Sequence, residues 1–274
     1  MASSKNGAAV SAIRLSALVA YVLVLIPVAS DAQEDAGPDL EGMWIEGASA
    51  FADPRWRLED LICYGCTRAA FGHLDILMAQ DEERSLTEYT RALAQFDREY
   101  IYGLMTEAGR RYFDEEPVAP DPGCEPIGLI QHLRTRLSVN FEEFEGGITL
   151  QYEYLGSTRT VHMDGRDHPA DLQSSLLGHS IGWYDGSTLV VETVGLEPTV
   201  VRSSGIFDPV RISERARVIE RYTRNPGESW YDYEATLVDP KFYREPFVVH
   251  HQRRLLEYDQ VFEVYDCQVV SGEF

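Results

Sequence analysis

Positive charge is scarce in this chain. Its 24 lysines and arginines face 45 aspartates and glutamates, a net charge of −21. A surface of that sign repels phosphate backbones and anionic lipid headgroups, so no nucleic acid or acidic membrane is expected as a partner. Long hydrophobic runs are missing too, apart from "LSALVAYVLVLIPVA" at residues 15–29. That run is shorter than the about 20 apolar residues of a comfortable membrane span. It follows Lys5 and Arg14 and ends at Pro27, with small residues at Ser30-Asp31-Ala32. This pattern reads as an export signal at residues 1–32, cleaved near Ala32. The mature chain is therefore expected to be a soluble periplasmic or secreted protein with no stable membrane span.

Cysteine is limited to four residues: Cys63, Cys66, Cys124 and Cys267. An even number in an exported chain suits two disulfides, and four cysteines allow three pairings. Cys63–Cys66 with Cys124–Cys267 is the favoured arrangement, tying the last strand back to a mid-chain loop. A thioredoxin-like role for the C-x-x-C would need a βαβ context, which the sequence lacks. A zinc site there would need two further ligands, and His73 is the only nearby candidate.

The rest of the chain divides into a helical part and a β part. After the apolar strand around Gly42-x-Trp44, the residues Leu61, Ile62, Cys66, Ala69, Ala70, His73, Leu74 and Leu77 fall on helical spacing. Ser85 followed by Glu88 is a capping-box signature for a second helix, and "YGLMTEAGRRYF" predicts a third. Four prolines in residues 115–128 mark a boundary. From Ser138 onward, short alternating segments are separated by turn signals, among them the two-residue Gly186-Ser187 hairpin. Closely spaced sequential strands predict an antiparallel meander, which loses its edges by closing into a barrel. The expected fold is thus mainly β, a lipocalin-like barrel over residues 129–274. Residues 33–128 supply the first strand, a helical N-terminal cover or insertion, and the Pro-rich loop, all within one domain with the barrel.

Strand parity places Ala216, Val218, Glu220 and Tyr222 on one face, and Thr188, Val190, Glu192 and Val194 on another. Thr158, Thr160, His162 and Asp164 share a third. A glutamate on a half-apolar face fits either a barrel exterior or a lumen that holds a small amphiphilic ligand.

The densest polar group is "VHMDGRDHPADLQSSLLGHS" at residues 161–180. For acid–base chemistry, His162 or His179 would carry the proton and Asp164 or Glu192 would orient it. Arg166 would stabilise developing negative charge. His168, Trp183, Glu192 and Glu220 are candidate ligand contacts. Isomerase, lyase and hydrolase chemistry all suit this set, whereas Ser180 lacks the context of a nucleophile elbow. No cofactor is favoured. A zinc-like site on His162, His168 and His179 is an alternative, although their spacing matches no compact ligand motif. The structural alternative is strand-end residues that cap turns and pair with Arg159 or Arg166. The expected partner is a small, largely apolar molecule, bound with or without catalysis.

The blocks "TVHMDGRDHP", "GHSIGWYDGSTLVVET", "VIERYTR", "DPKFYREPF" and "VYDC", together with "CEPIG", resemble a family of exported, β-rich bacterial proteins with no generally assigned function. The likeness runs from about Pro120 to Cys267. It implies an exported β-rich fold and brings no reaction with it. Two positions depart from the family pattern. Ser187 stands where the family has an acid at the hairpin, and Leu129-Ile130 stand where it has Pro-Arg. The Gly42-x-Trp44 strand separately resembles the opening strand of lipocalin and calycin barrels.

Overall fold

The structure is a computed structural model that describes residues 37–45, 65–80, 84–115, 125–134, 137–200, 210–256 and 264. The proposed export signal, Cys63, Cys124 and Cys267 lie outside the described residues. Cys66 is disulfide-bonded to a partner that also lies outside them. Residues 35–274 form one compact unit.

The described residues form eleven strands in chain order: β1 (Gly42–Ile45), β2 (Val139–Phe144), β3 (Gly147–Tyr152), β4 (Thr158–His162), β5 (His179–Asp185), β6 (Thr188–Val194), β7 (Thr199–Val200), β8 (Arg211–Ile212), β9 (Arg217–Thr223), β10 (Trp230–Val238) and β11 (Phe247–Leu255). Nine of them close into a barrel in the order β1-β11-β10-β9-β6-β5-β4-β3-β2. The short β7-β8 pair stands apart. The expectation of a purely antiparallel meander is corrected at one seam: β4 and β5 pair in parallel, with Val161 opposite Ser180 and His162 opposite Ile181. Parallel neighbours cannot be joined by a tight hairpin, because the chain must travel back the length of a strand. Residues 163–178 make that return, and their length is what permits it.

Alternation along the strands fills the barrel interior. The pattern on β10 buries Tyr231, Tyr233, Ala235 and Leu237, and β9 buries Val218, Glu220 and Tyr222. Ring contacts then cross the interior. Trp44 meets Tyr231 at 4.7 Å, Tyr231 meets Tyr222 at 5.6 Å, and Phe141 meets Tyr222 at 5.3 Å. A barrel of eight or nine strands is just wide enough for side chains to fill, and here large aromatics fill it.

The described residues also form four helices: α1 (Arg68–Ala79), α2 (Leu86–Leu104), α3 (Glu107–Glu115) and α4 (Leu129–Arg134). Ser85 caps α2 as expected, with Glu88 N donating to Ser85 Oγ and Ser85 N donating to Glu88 Oε2 at 2.7 Å. The third predicted helix begins later than the sequence pattern suggests. The chain breaks at Met105, which bridges Tyr243, and the Thr106 hydroxyl then accepts from Gly109 N. The segment before α1 pairs with β11 where β1 no longer covers it, through a Thr67–Val249 bridge and a His250 N to Cys66 O bond. An exposed strand edge is thereby occupied. Helix α4 packs its Leu129, Ile130 and Leu133 into the barrel core, and its His132 stacks on Tyr152 at 4.2 Å. No helix among the described residues is long and apolar enough to cross a membrane.

Candidate functional site

Two polar groupings emerge, one inside the barrel and one on its outer wall. Inside, Arg159 points inward between exposed Thr158 and Thr160, because it shares a face with buried Val161. Its guanidinium meets Glu220 at 2.5 Å and 3.1 Å, and it also donates to Thr193 Oγ1 and Tyr222 Oη. Tyr222 and Tyr233 donate their hydroxyls to Glu220 at 2.5 Å and 3.0 Å. Burial, and then the Glu220 charge, push both phenols well above their ordinary range, so they remain donors. Burial also lifts the Tyr152 phenol to about 12 and holds His132 down to about 3. Glu220, a candidate ligand contact from the sequence, is therefore engaged by the protein's own cation and hydroxyls.

Sequence reasoning missed Arg159 as a core residue. Its signal was present: an arginine and a glutamate, each on an apolar strand face, imply a pair when both faces turn inward.

The outer wall holds His162, His168 and His179. His162 ends β4 and His179 begins β5 on the outward face, and the parallel register makes them diagonal neighbours. Their rings stack with centroids 5.0 Å apart and planes 26° from parallel. His168 lies in the return segment that the parallel pairing demands. It reaches back so that its Nδ1 sits 2.8 Å from His179 Nδ1, with the two rings edge to face at 5.0 Å. Three imidazoles from a strand end, a loop and a strand start thus form one cluster.

The acids expected to orient these rings do other work. Asp164 accepts two bonds from Arg166 Nε and one from Nη2, and it also takes Arg166 N in a turn. That grip lowers the Asp164 carboxyl to about 2. Glu192 lies on the outer face opposite Ile181 and pairs with Arg217 at 3.3 Å.

Partial burial, followed by the Arg166 charge, lowers the pKa of His162, against a weaker opposite pull from Asp164. Partial burial, then His168, His162 and Arg166, lowers that of His179. Both shifts favour the neutral ring over the charged one. Among the described residues, no group of three or more His, Cys, Asp or Glu side chains is arranged to hold a metal ion.

Exposed aromatics flank this cluster. Trp183 follows His179 and Ile181 on the same face of β5 and is 44% exposed. Phe144, which the sequence did not single out, lies over Gly147, the residue opposite His162 in register. A Cβ on Gly147 would come within 2.3 Å of the Phe144 ring, so the missing side chain makes room for that ring. Ser180 is buried on the inner face against Thr193 at 2.8 Å, away from the imidazoles. In comparisons with known proteins, no family model, no curated protein and no solved structure matches the chain.

Proposed function

We propose that the chain is an exported barrel protein whose small-molecule site lies on the outer wall at the β4–β5 seam. There, neutral imidazoles carry a proton to and from a bound substrate. The observation that carries this proposal is the convergence of His162, His168 and His179 from three separate elements, with ring centroids 5.0 Å apart. Neutral imidazole at pH 7 is the form that accepts a proton or donates a hydrogen bond without a charge cost. Exposed Trp183 and Phe144 supply apolar surface for a largely apolar molecule with one polar handle. The lumen is filled by aromatic rings and the Arg159–Glu220 pair, which favours the outer wall over the interior as the ligand site. A closed barrel that opens on Gly42-x-Trp44, with Trp44 fully buried, supports a lipocalin-like type.

Native mass spectrometry of the protein purified from an exporting host tests the proposal. A retained organic mass is expected on the wild type and absent from His162→Ala and His179→Ala, with melting temperatures within a few degrees of wild type. Retention by all three proteins would move the ligand elsewhere. A bound mass that no substrate turnover accompanies would make this a binding protein without catalysis. A zinc-sized mass lost to chelator would favour the metal alternative. The mass of the secreted chain also reports whether cleavage falls near Ala32.

A further inference from the structure

His168 and His179 meet through their Nδ1 atoms at 2.8 Å. Between two neutral rings, such a contact needs one N–H and one lone pair, since two of either kind repel. The other nitrogen of His168 decides which ring donates. His168 Nε2 is buried and meets no hydrogen-bond partner among the described residues. An orphaned buried N–H is rarer than an under-used acceptor and costs its full desolvation. The cheaper tautomer of His168 therefore carries its proton on Nδ1 and leaves Nε2 bare. His179 Nδ1 then accepts, and the single proton of His179 sits on Nε2.

On the acid–base proposal above, we infer that His168 is a positioning residue that fixes His179 as an Nε2–H donor, leaving His162 to act as the base. Among the described residues, no hydrogen bond engages the His162 ring, so its lone pair is not already committed. The groups that act electrostatically on His179 are His168, His162 and Arg166, all of which oppose a positive charge on it. The carboxylates Asp164 and Glu192 are held by Arg166 and Arg217. His179 is thus kept as a neutral donor, suited to a carbonyl oxygen that becomes an enolate oxygen.

The substrate class that fits is a carbonyl compound with an acidic C–H beside the carbonyl. His162 takes that proton, and the C–H electron pair forms the C=C bond of the enolate. The carbonyl π pair moves to oxygen, where His179 Nε2–H donates a hydrogen bond. The proton on His162 returns to a carbon of the same delocalised anion, and the carbonyl re-forms. Nothing is oxidised or reduced, and no co-reactant is needed. Stacked rings with centroids 5.0 Å apart can contact the two ends of such a fragment.

Nitrogen-15 NMR of the labelled full-length protein at neutral pH, with chelator present, tests the assignment without any substrate. Pyrrole-type and pyridine-type ring nitrogens resonate in separate ranges. His179 is expected to show pyrrole-type Nε2 and pyridine-type Nδ1, with pyrrole-type Nδ1 on His168. A pyrrole-type Nδ1 on His179 overturns the assignment. His168→Asn keeps an N–H donor near the Nδ1 position and should preserve the His179 pattern. His168→Asp offers only acceptors and should exchange it. The same His179 pattern in both variants would show that His168 does not set the tautomer. The wild-type spectrum stands even if a variant fails to fold. A protein that retains no organic mass but shows the expected spectrum would defeat the catalytic proposal alone. The converse result would defeat only this division of roles.

Discussion

Glu220 and Arg159 are both fully buried, and each is satisfied mainly by the other. Removing one member of such a pair strands a charge in the core, which typically costs about 3–5 kcal/mol. Glu220→Gln is therefore expected to lower unfolding free energy by about that much in urea titrations. Adding Arg159→Met should recover part of the loss, because the amide oxygen of the new glutamine can still accept from Tyr222 and Tyr233. A loss that stays the same in the double variant would mean the charge pairing contributes little. At the outer cluster the sign of the pH effect follows from the lowered His162 and His179 values. The unfolded chain binds protons at these two sites near the ordinary value of about 6.5, before the folded chain does. Their contribution to stability is complete above that pH and is lost as pH falls through the lowered folded values. Proton NMR titration of the two rings should give midpoints below 6.5. Midpoints above it would show that a carboxylate governs them.

The return segment 163–178 is the element that assembles the site, and its last residue is a hinge of restricted choice. Gly178 sits at φ 67°, and an added Cβ would lie 2.5 Å from the Val194 carbonyl. Gly178→Ala must shift the segment and is expected to lower the melting temperature and perturb the His168 and His179 NMR signals together. A change in stability with both histidine signals intact would separate the segment's path from the cluster. Elsewhere, Ser85→Ala removes the α2 cap and should cost about 1 kcal/mol without touching the site.

Local chemistry explains why some elements were readable from sequence alone. The Ser85–Glu88 cap and the Gly186-Ser187 hairpin depend on neighbouring residues, and both stand where the spacing put them. The β4–β5 seam does not, because strand direction depends on how residues 163–178 travel in three dimensions. The three histidines were grouped from sequence, but the path that carries His168 back to His179 was hidden for the same reason, as were Phe144 over Gly147 and the inward turn of Arg159. Glu192 and Glu220 looked alike in sequence, yet register turns one outward to Arg217 and the other inward to Arg159.

At the scale of the whole molecule, a net charge of −21 stores self-repulsion. Raising ionic strength from about 0.01 M to about 0.15 M shortens the screening length from about 30 Å to about 8 Å. Calorimetry at pH 7 should show the melting temperature rising across that range. A fall would mean that surface ion pairs such as Arg221–Asp185 outweigh the repulsion.

The barrel also has a property that no single strand carries. Strands around a closed ring can alternate up and down only if their number is even, and this ring has nine. One adjacent pair must run the same way, wherever the sequence finds it least costly. The mismatch falls between β4 and β5, so the odd count itself imposes the detour that brings His168 over His179. Adding or removing one strand would restore even alternation and take away the need for the detour.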